Sequence, residues 1–218
     1  MDLTFCPIAC FKMNNHLLIA VPSKTQSCVE IRELNSHISI MVLEPHDDKK
    51  SIGLVMDLKV IASADQSHID LIVCYEDGSM ILWDVKAGGL QRAKNNFHQE
   101  AVTSFDVCTR TKKGLSGSVD NKIILWKYDM EGTLKQSRVE EMPNPGVACV
   151  KARPDGKLFA VGCWDSAIRL YGGSKLTPLV TLWAHEQTIQ SLSFDVDNSF
   201  AAGSKDGNIS VWSLYKDK

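Results

Sequence analysis

Apolar residues fall in short runs separated by polar turns, and no stretch shows the three-and-four spacing of an amphipathic helix. The unit opening at His98 is the clearest. Residues 101–107 alternate as an inner strand, 113–118 form a second strand, Val119-Asp120-Asn121 a tight turn, and 122–128 a third strand carrying Trp126. Asp and Asn suit that turn because their side chains bond the local backbone. The last unit repeats the plan from His185, with strands at 188–194, 199–204 and 208–214 and a turn at Lys205-Asp206-Gly207. A middle unit opens at Pro143-Asn144-Pro145 instead of a His. It predicts strands at 147–152, 158–163 and 167–171, the first two joined through Pro154-Asp155-Gly156. There Pro fixes one φ and Gly supplies the positive one. Before His98, strands are predicted at 52–58, 70–75 and 80–85, with a longer loop at 62–67 and a turn at Glu76-Asp77-Gly78-Ser79. A degraded front unit fits strands at 5–13, 16–21 and 28–34, with Pro22-Ser23 breaking the pattern, Arg32 in the aromatic position and no Asp turn.

Four of these units end alike. Asp77, Asp120, Asp165 and Asp206 each stand six residues before an aromatic, Trp83, Trp126, Tyr171 and Trp212, and they follow one another at steps of 43, 45 and 41 residues. A period of about 40–45 residues with this ending is the signature of WD repeats, four strands to a propeller blade. The expected fold is all-β, a WD-repeat β-propeller with about five blades present. The chain then reads as one array over 1–218, with units at 1–34, 35–86, 87–129, 130–173 and 174–218. Such arrays work through a surface that many loops build together.

Composition narrows the function. The net charge is −2, from 24 Lys plus Arg against 26 Asp plus Glu, and no basic run forms a stripe, so neither nucleic acid nor an anionic membrane is an expected partner. The longest apolar stretches, such as 16–21, are too short to span a bilayer, and residues 1–11 lack the layout of a signal peptide. The seven cysteines are odd in number and include no Cys-x-x-Cys, which suits reduced thiols in an intracellular protein. A metal site built on Cys6, Cys10 and a distant His is a weaker alternative, and no metal or other cofactor is expected.

In the unit from His98, a chain of hydrogen bonds is expected to run from the Trp126 indole through Ser116 and His98 to Asp120. A buried indole needs an acceptor, and a hydroxyl and an imidazole can each pass the bond on. The last unit keeps His185, Asp206 and Trp212, with Ala202 at the Ser116 place. Ser116, His98 and Asp120 also spell a hydrolase triad. Their recurrence at the period of the fold favours the structural role, and no Gly-x-Ser-x-Gly elbow or Gly-Lys-Ser/Thr phosphate loop accompanies them. No catalytic set is assembled, so an enzyme is not expected. Trp164 precedes Asp165 where other units carry Glu76, Val119 and Lys205, a place that should lie on the rim of one face. Glu76, Trp164 and Lys205 are therefore the candidate partner-binding residues, with packing over a neighbouring blade as the alternative for Trp164. Trp83-Asp84-Val85-Lys86 resembles the Trp-Asp-x-basic docking motif of cullin-ring ubiquitin ligase receptors, although Trp-Asp is also the signature of the fold itself.

Longer stretches carry a more specific resemblance. They are Tyr75-Glu76-Asp77-Gly78-Ser79 with Leu82-Trp83-Asp84-Val85, Asn144-Pro145-Gly146-Val147, Arg153-Pro154-Asp155, and Trp164-Asp165 with Ile168-Arg169. The last is Ala201-Ala202-Gly203-Ser204-Lys205-Asp206 with Ile209-Ser210-Val211-Trp212-Ser213-Leu214-Tyr215. Over about residues 5–215 the chain resembles the WD-repeat family, and within it the G-protein β-subunit-like branch related to the ASTRA-associated WD-repeat subunit. The resemblance implies a non-catalytic scaffold that works with a chaperone assembly in the maturation and stability of phosphatidylinositol-3-kinase-related kinases. DNA-damage signalling would then be its setting, and the cytoplasm, with the nucleus as a second compartment, its location. A substrate receptor of a cullin-ring ubiquitin ligase is the alternative. Family members extend further at the N-terminus by roughly two repeats, so the chain reads as an incomplete part of a roughly seven-bladed ring. The last unit stops after its third strand, its outer strand missing unless residues 1–5 supply it. Open strand edges at the first and last units are therefore expected, and with them self-association.

Overall fold

A computed structural model describes residues 6–46, 52–63, 67–129, 131–195 and 199–214. It contains nineteen strands in five sheets, and among the described residues no helix. The first sheet is β1 (Ala9–Met13), β2 (His16–Pro22), β3 (Val29–Glu33) and β4 (Ser39–Leu43). The second is β5 (Val55–Ala62), β6 (Ile69–Tyr75), β7 (Ser79–Asp84) and β8 (Leu90–Asn96). The third is β9 (Val102–Cys108), β10 (Lys113–Ser118), β11 (Lys122–Tyr128) and β12 (Leu134–Glu141). The fourth is β13 (Val147–Ala152), β14 (Leu158–Cys163), β15 (Ile168–Gly172) and β16 (Pro178–Leu182), and the fifth is β17 (Ile189–Phe194), β18 (Ser199–Ser204) and β19 (Ile209–Ser213). Strands consecutive in the chain are neighbours in the sheet, so every sheet is a meander of local pairings.

The chain divides into two compact units, Met1–Val102 with Met130–Leu134 and Thr103–Asp129 with Lys135–Lys218. In the first, Phe11, Leu18, Ile31 and Leu43 of one sheet pack with Val55, Leu71, Val73, Ile81 and Trp83 of the next. In the second, Leu115, Ile123 and Leu125 pack with Val147, Val150, Phe159 and Val161. A further layer there joins Ile168 and Leu170 to Ile189, Leu192 and Phe200. Each such side chain contributes about 1.5–3 kcal/mol when fully removed from water. Central strands are covered on both faces. Every residue of β6 and of β14 is buried, which is why β14, and β6 from Leu71 onward, read as apolar runs rather than as alternation.

The fourth strands β4, β8, β12 and β16 were not marked by the sequence pattern. They lie at sheet edges, β4, β12 and β16 largely exposed and β8 half-buried, and β8 (LQRAKNN) and β12 (LKQSRVEE) carry no alternation to detect. As a result the first sheet runs to Leu43 and the third to Glu141, beyond the unit limits at 34 and 129. The fifth sheet has three strands among the described residues. Ile209 is 77% and Val211 73% exposed, while their counterparts in the fourth sheet, Ile168 and Leu170, are 0% and 2%. The alternative that residues 1–5 complete that sheet lies outside the described residues.

Candidate functional site

The periodic aspartates do one job in common. Each closes the turn between the second and third strands by accepting the backbone N–H two residues on. The bonds are Ser79 N–H to Asp77 Oδ1 at 2.9 Å, Lys122 to Asp120 at 2.7 Å, Ala167 to Asp165 at 3.2 Å and Asn208 to Asp206 at 2.9 Å. The residue between takes positive φ in three of the four turns, at Gly78 (84°), Ser166 (68°) and Gly207 (85°). A short carboxylate that satisfies its own turn is the physical reason for the period. The aromatic six residues on lies on the third strand opposite the second: Trp83 faces Leu71, Trp126 faces Gly114, Tyr171 faces Phe159 and Trp212 faces Phe200.

The first link of the relay expected around Trp126 is not made. The Trp126 Nε1–H finds no acceptor among the described residues, and the Ser116 hydroxyl lies 3.5 Å from the Ile124 carbonyl. The ring leans over Gly114, where an added Cβ would come within 2.2 Å of a ring carbon. Asp120 serves the turn, and His98, buried at the end of the first unit, gives its backbone N–H to the Gly78 carbonyl at 3.3 Å. Ser116 is fully buried, so its hydroxyl is not placed to meet a substrate.

The continuous network is in the last sheet, through a residue that the sequence reading missed. Trp212 Nε1–H donates to Ser210 Oγ at 3.0 Å, Ser210 lies 2.8 Å from His185 Nε2, and His185 Nδ1 lies 3.1 Å from Asp206 Oδ2. The carboxylate can only accept, so Nδ1 carries the proton and Nε2 accepts from the Ser210 hydroxyl. Ser210 belongs to the third strand, two residues from Trp212, whereas a hydroxyl was sought on the second strand, where Ala202 stands.

The Asp206 carboxylate is held down to about 2 by the Glu186 backbone N–H first, then by the Asn208 N–H and His185. A folded-state value below the ordinary 3.8 means that the stabilising contribution is complete above about pH 4 and is lost as pH falls toward 2. The stability difference between wild type and Asp206→Asn should therefore shrink across that window in acid titrations. A difference that stays constant from pH 5 to about 2 would contradict the assignment. His185→Ala and Asp206→Ala should also combine to less than the sum of their separate effects, because they break one network.

The three rim residues are exposed, each in the turn between the second and third strands of its own sheet. Glu76, in the first unit, accepts the Leu54 backbone N–H at 3.1 Å. In the second unit, Trp164 and Lys205 meet through Thr188, whose carbonyl accepts the Lys205 N–H at 2.9 Å and whose hydroxyl lies 3.4 Å from the Trp164 carbonyl. Beside Trp164, Arg169 donates Nη1–H and Nη2–H to the two oxygens of Asp165 at 2.9 and 2.6 Å, and Asn144 adds a bond at 2.9 Å. Burial works to raise the Asp165 carboxyl, but the bonds from Arg169, Asn144 and the Ala167 N–H together hold it below the usual range. The same carboxylate pushes the Arg169 guanidinium further up. Trp183, which the sequence reading passed over, stands over this ion pair with its ring 6.0 Å from the guanidinium carbon. A signal for it existed: Trp164 and Trp183 are the two tryptophans outside the Asp-to-aromatic period.

Trp83 and Asp84 are 1% and 6% exposed. The Asp84 carboxylate accepts the Ala87 N–H at 2.9 Å and pairs with Arg92, so both residues are used inside the blade. Among the described residues no three His, Cys, Asp or Glu side chains come together as a metal site.

Comparison with known proteins places these features. The profile described as WD domain, G-beta repeat matches residues 136–172 and 176–213. The mouse guanine nucleotide-binding protein subunit beta-like protein 1 is 35% identical over 198 residues, 91% of this chain and 60% of that protein. The ASTRA-associated protein 1 of Schizosaccharomyces japonicus is 26% identical over 79% of the chain and 51% of its own length. A ribosome biogenesis protein WDR12 homolog of Drosophila persimilis is 26% identical over 65% of the chain and 38% of its own length. The chain thus spans about two-fifths to three-fifths of the length of these relatives, and none of their names carries an enzyme activity. Five strand meanders, four turns closed by periodic aspartates and these likenesses lead to one conclusion: the chain belongs to the WD-repeat family.

Proposed function

We propose that this chain is a non-catalytic interaction scaffold that acts as a co-chaperone-type factor in the maturation and stability of phosphatidylinositol-3-kinase-related kinases. Its partners are the chaperone assembly that matures those kinases and the kinases themselves, in the cytoplasm and nucleus, without nucleic acid, membrane or cofactor. The likeness to proteins named ASTRA-associated supports the setting. The observation that carries the scaffold reading is Trp164, 48% exposed on a turn in which Asp165 holds the Ala167 N–H and the Arg169 side chain. Large rigid aromatics of this kind anchor protein partners. Burial of Trp83 and Asp84 leaves the ubiquitin-ligase reading with little to dock through.

Copurification separates the two readings. The tagged chain should bring down the kinase-maturation chaperones and not a cullin adaptor, and Trp164→Ala should weaken that capture while leaving the thermal transition in place. Recovery of a cullin adaptor instead, or capture indifferent to Trp164, Glu76 and Lys205 substitutions alike, would sink the proposal.

A further inference from the structure

The turns at 109–112, 153–157 and 173–177 stand at the end of the second unit opposite the Asp turns and Trp164, because each sheet is a meander. They interlock. Lys113 Nζ donates to the Ser174 carbonyl at 3.3 Å and lies 3.5 Å from that of Gly173. The Gly173 N–H meets the Lys157 carbonyl at 2.8 Å, and a Cβ on Gly156 would come within 2.5 Å of the Thr111 side chain. Folding so gathers cations that the sequence keeps apart. Arg110, Lys112, Lys157 and Lys175 are exposed, and Lys113 is half-buried. Lys127, also exposed, stands directly opposite Lys113 in the register of β10 and β11. Like charges so paired cost stability, and an anion between them removes that cost. Among the described residues of the unit, the carboxylates at this end are Asp129, Asp155 and Asp195. Asp106, inside β9, is buried and bonded to the Ala152 N–H at 2.8 Å. Asp155 is held by Arg153 through Nε–H and Nη2–H, both at 2.8 Å. Two carboxylates are then left against six cations, on a chain whose net charge is −2.

We infer that Arg110, Lys112, Lys113, Lys127, Lys157 and Lys175 form a docking surface for an acidic, extended segment of a partner protein. The surface goes beyond the kinase reading and does not depend on it. Its cations come from two packed sheets, and such sheets stand about 10 Å apart, the length of about three residues of extended chain. Charges spread in this way match carboxylates spaced along a peptide better than one compact phosphate. Single-stranded nucleic acid is held through aromatics that stack its bases, and a membrane surface through apolar side chains that enter lipid. The three turns carry no aromatic residue, and Leu176 in the last of them is buried. Opposite charge speeds the encounter of such partners and makes it sensitive to salt.

Fluorescein-labelled decaglutamate would be titrated into the 218-residue chain and followed by anisotropy. Saturable binding is expected, weaker at high salt than at low. Lys112→Glu together with Lys157→Glu should weaken it by about tenfold or more, whereas Lys24→Glu, on an exposed turn of the first unit, should leave it unchanged. In the wild-type chain, bound peptide should shield Lys112, Lys157 and Lys175 from acetylation, read by mass spectrometry, and leave Lys24 as reactive as before. That footprint decides the matter even if the double variant loses its thermal transition. No saturation at about millimolar peptide, binding indifferent to the charge reversals in a folded variant, or equal shielding of all these lysines would overturn the assignment. So would tighter binding of deca-uridylate or of phosphatidylserine vesicles than of decaglutamate, which would give the surface to nucleic acid or to a membrane. Decaglutamate binding without chaperone capture would discard the kinase setting and keep this surface, and the reverse result would discard this surface alone.

Discussion

Trp126→Ala should lower the free energy of unfolding by about 3–5 kcal/mol. The indole is fully buried, packs against Phe105 with ring centroids 6.1 Å apart, and lies flat over Gly114. Removing it leaves a ring-sized void walled by strands that are hydrogen-bonded on both sides and cannot close in. The Nε1–H is unsatisfied, so the substitution loses apolar contact and not a hydrogen bond. Trp126→Phe, which drops the N–H and keeps most of the contact, should therefore recover much of the loss. Trp212, half-buried and tied to Ser210, should cost less when truncated. Denaturant titration of the three variants gives the comparison. A Trp126→Ala loss below about 1 kcal/mol would show that the ring is not part of a rigid core.

Asp165→Ala should have a comparable effect through a different cause, about 3–5 kcal/mol. Arg169 is 4% exposed, and Asp165 supplies the carboxylate for both its amino groups. Loss of that partner leaves a guanidinium buried without compensation, unties Asn144 and opens the turn at Ala167. Arg169→Ala in the Asp165→Ala background should add little, because the charge that was stranded is gone. The Glu30–Arg32 pair makes a control. Its arginine side chain is 38% exposed, and its removal should change stability by about 1 kcal/mol or less. Additive losses at Asp165 and Arg169 would contradict the assignment.

What could be read from the residues was local. An aspartate that binds the N–H two positions on leaves its mark within a single turn, so its recurrence exposed four meanders directly. Most second and third strands were placed to within a residue or two because apolar runs between Asp turns leave little freedom. The outer strands were invisible because an edge strand open to water need not alternate. One link of the expected relay is not made: residue types admit a bond from Trp126 to Ser116, and only packing shows the indole over Gly114 with its Nε1–H unsatisfied. Ser210 and Trp183 were missed because their surroundings depend on neighbours distant in the chain, His185 and Arg169, that sequence spacing does not reveal.

The cysteines have a consequence for how the protein meets oxidants. All seven are free thiols; Cys10 is exposed and Cys149 is half-buried, while Cys6, Cys28, Cys74, Cys108 and Cys163 are buried. Burial pushes the Cys163 thiol up to about 11 and Cys149 to about 12, and raises Cys74 as well. A thiol kept protonated is a poor nucleophile, so electrophiles and peroxide meet one ready target, Cys10, while the fold stays intact. The buried thiols become reactive when their strands open. Alkylation at Cys74 then clocks the breathing of the first unit and alkylation at Cys163 that of the second, a chemical record of which half of the chain yields first.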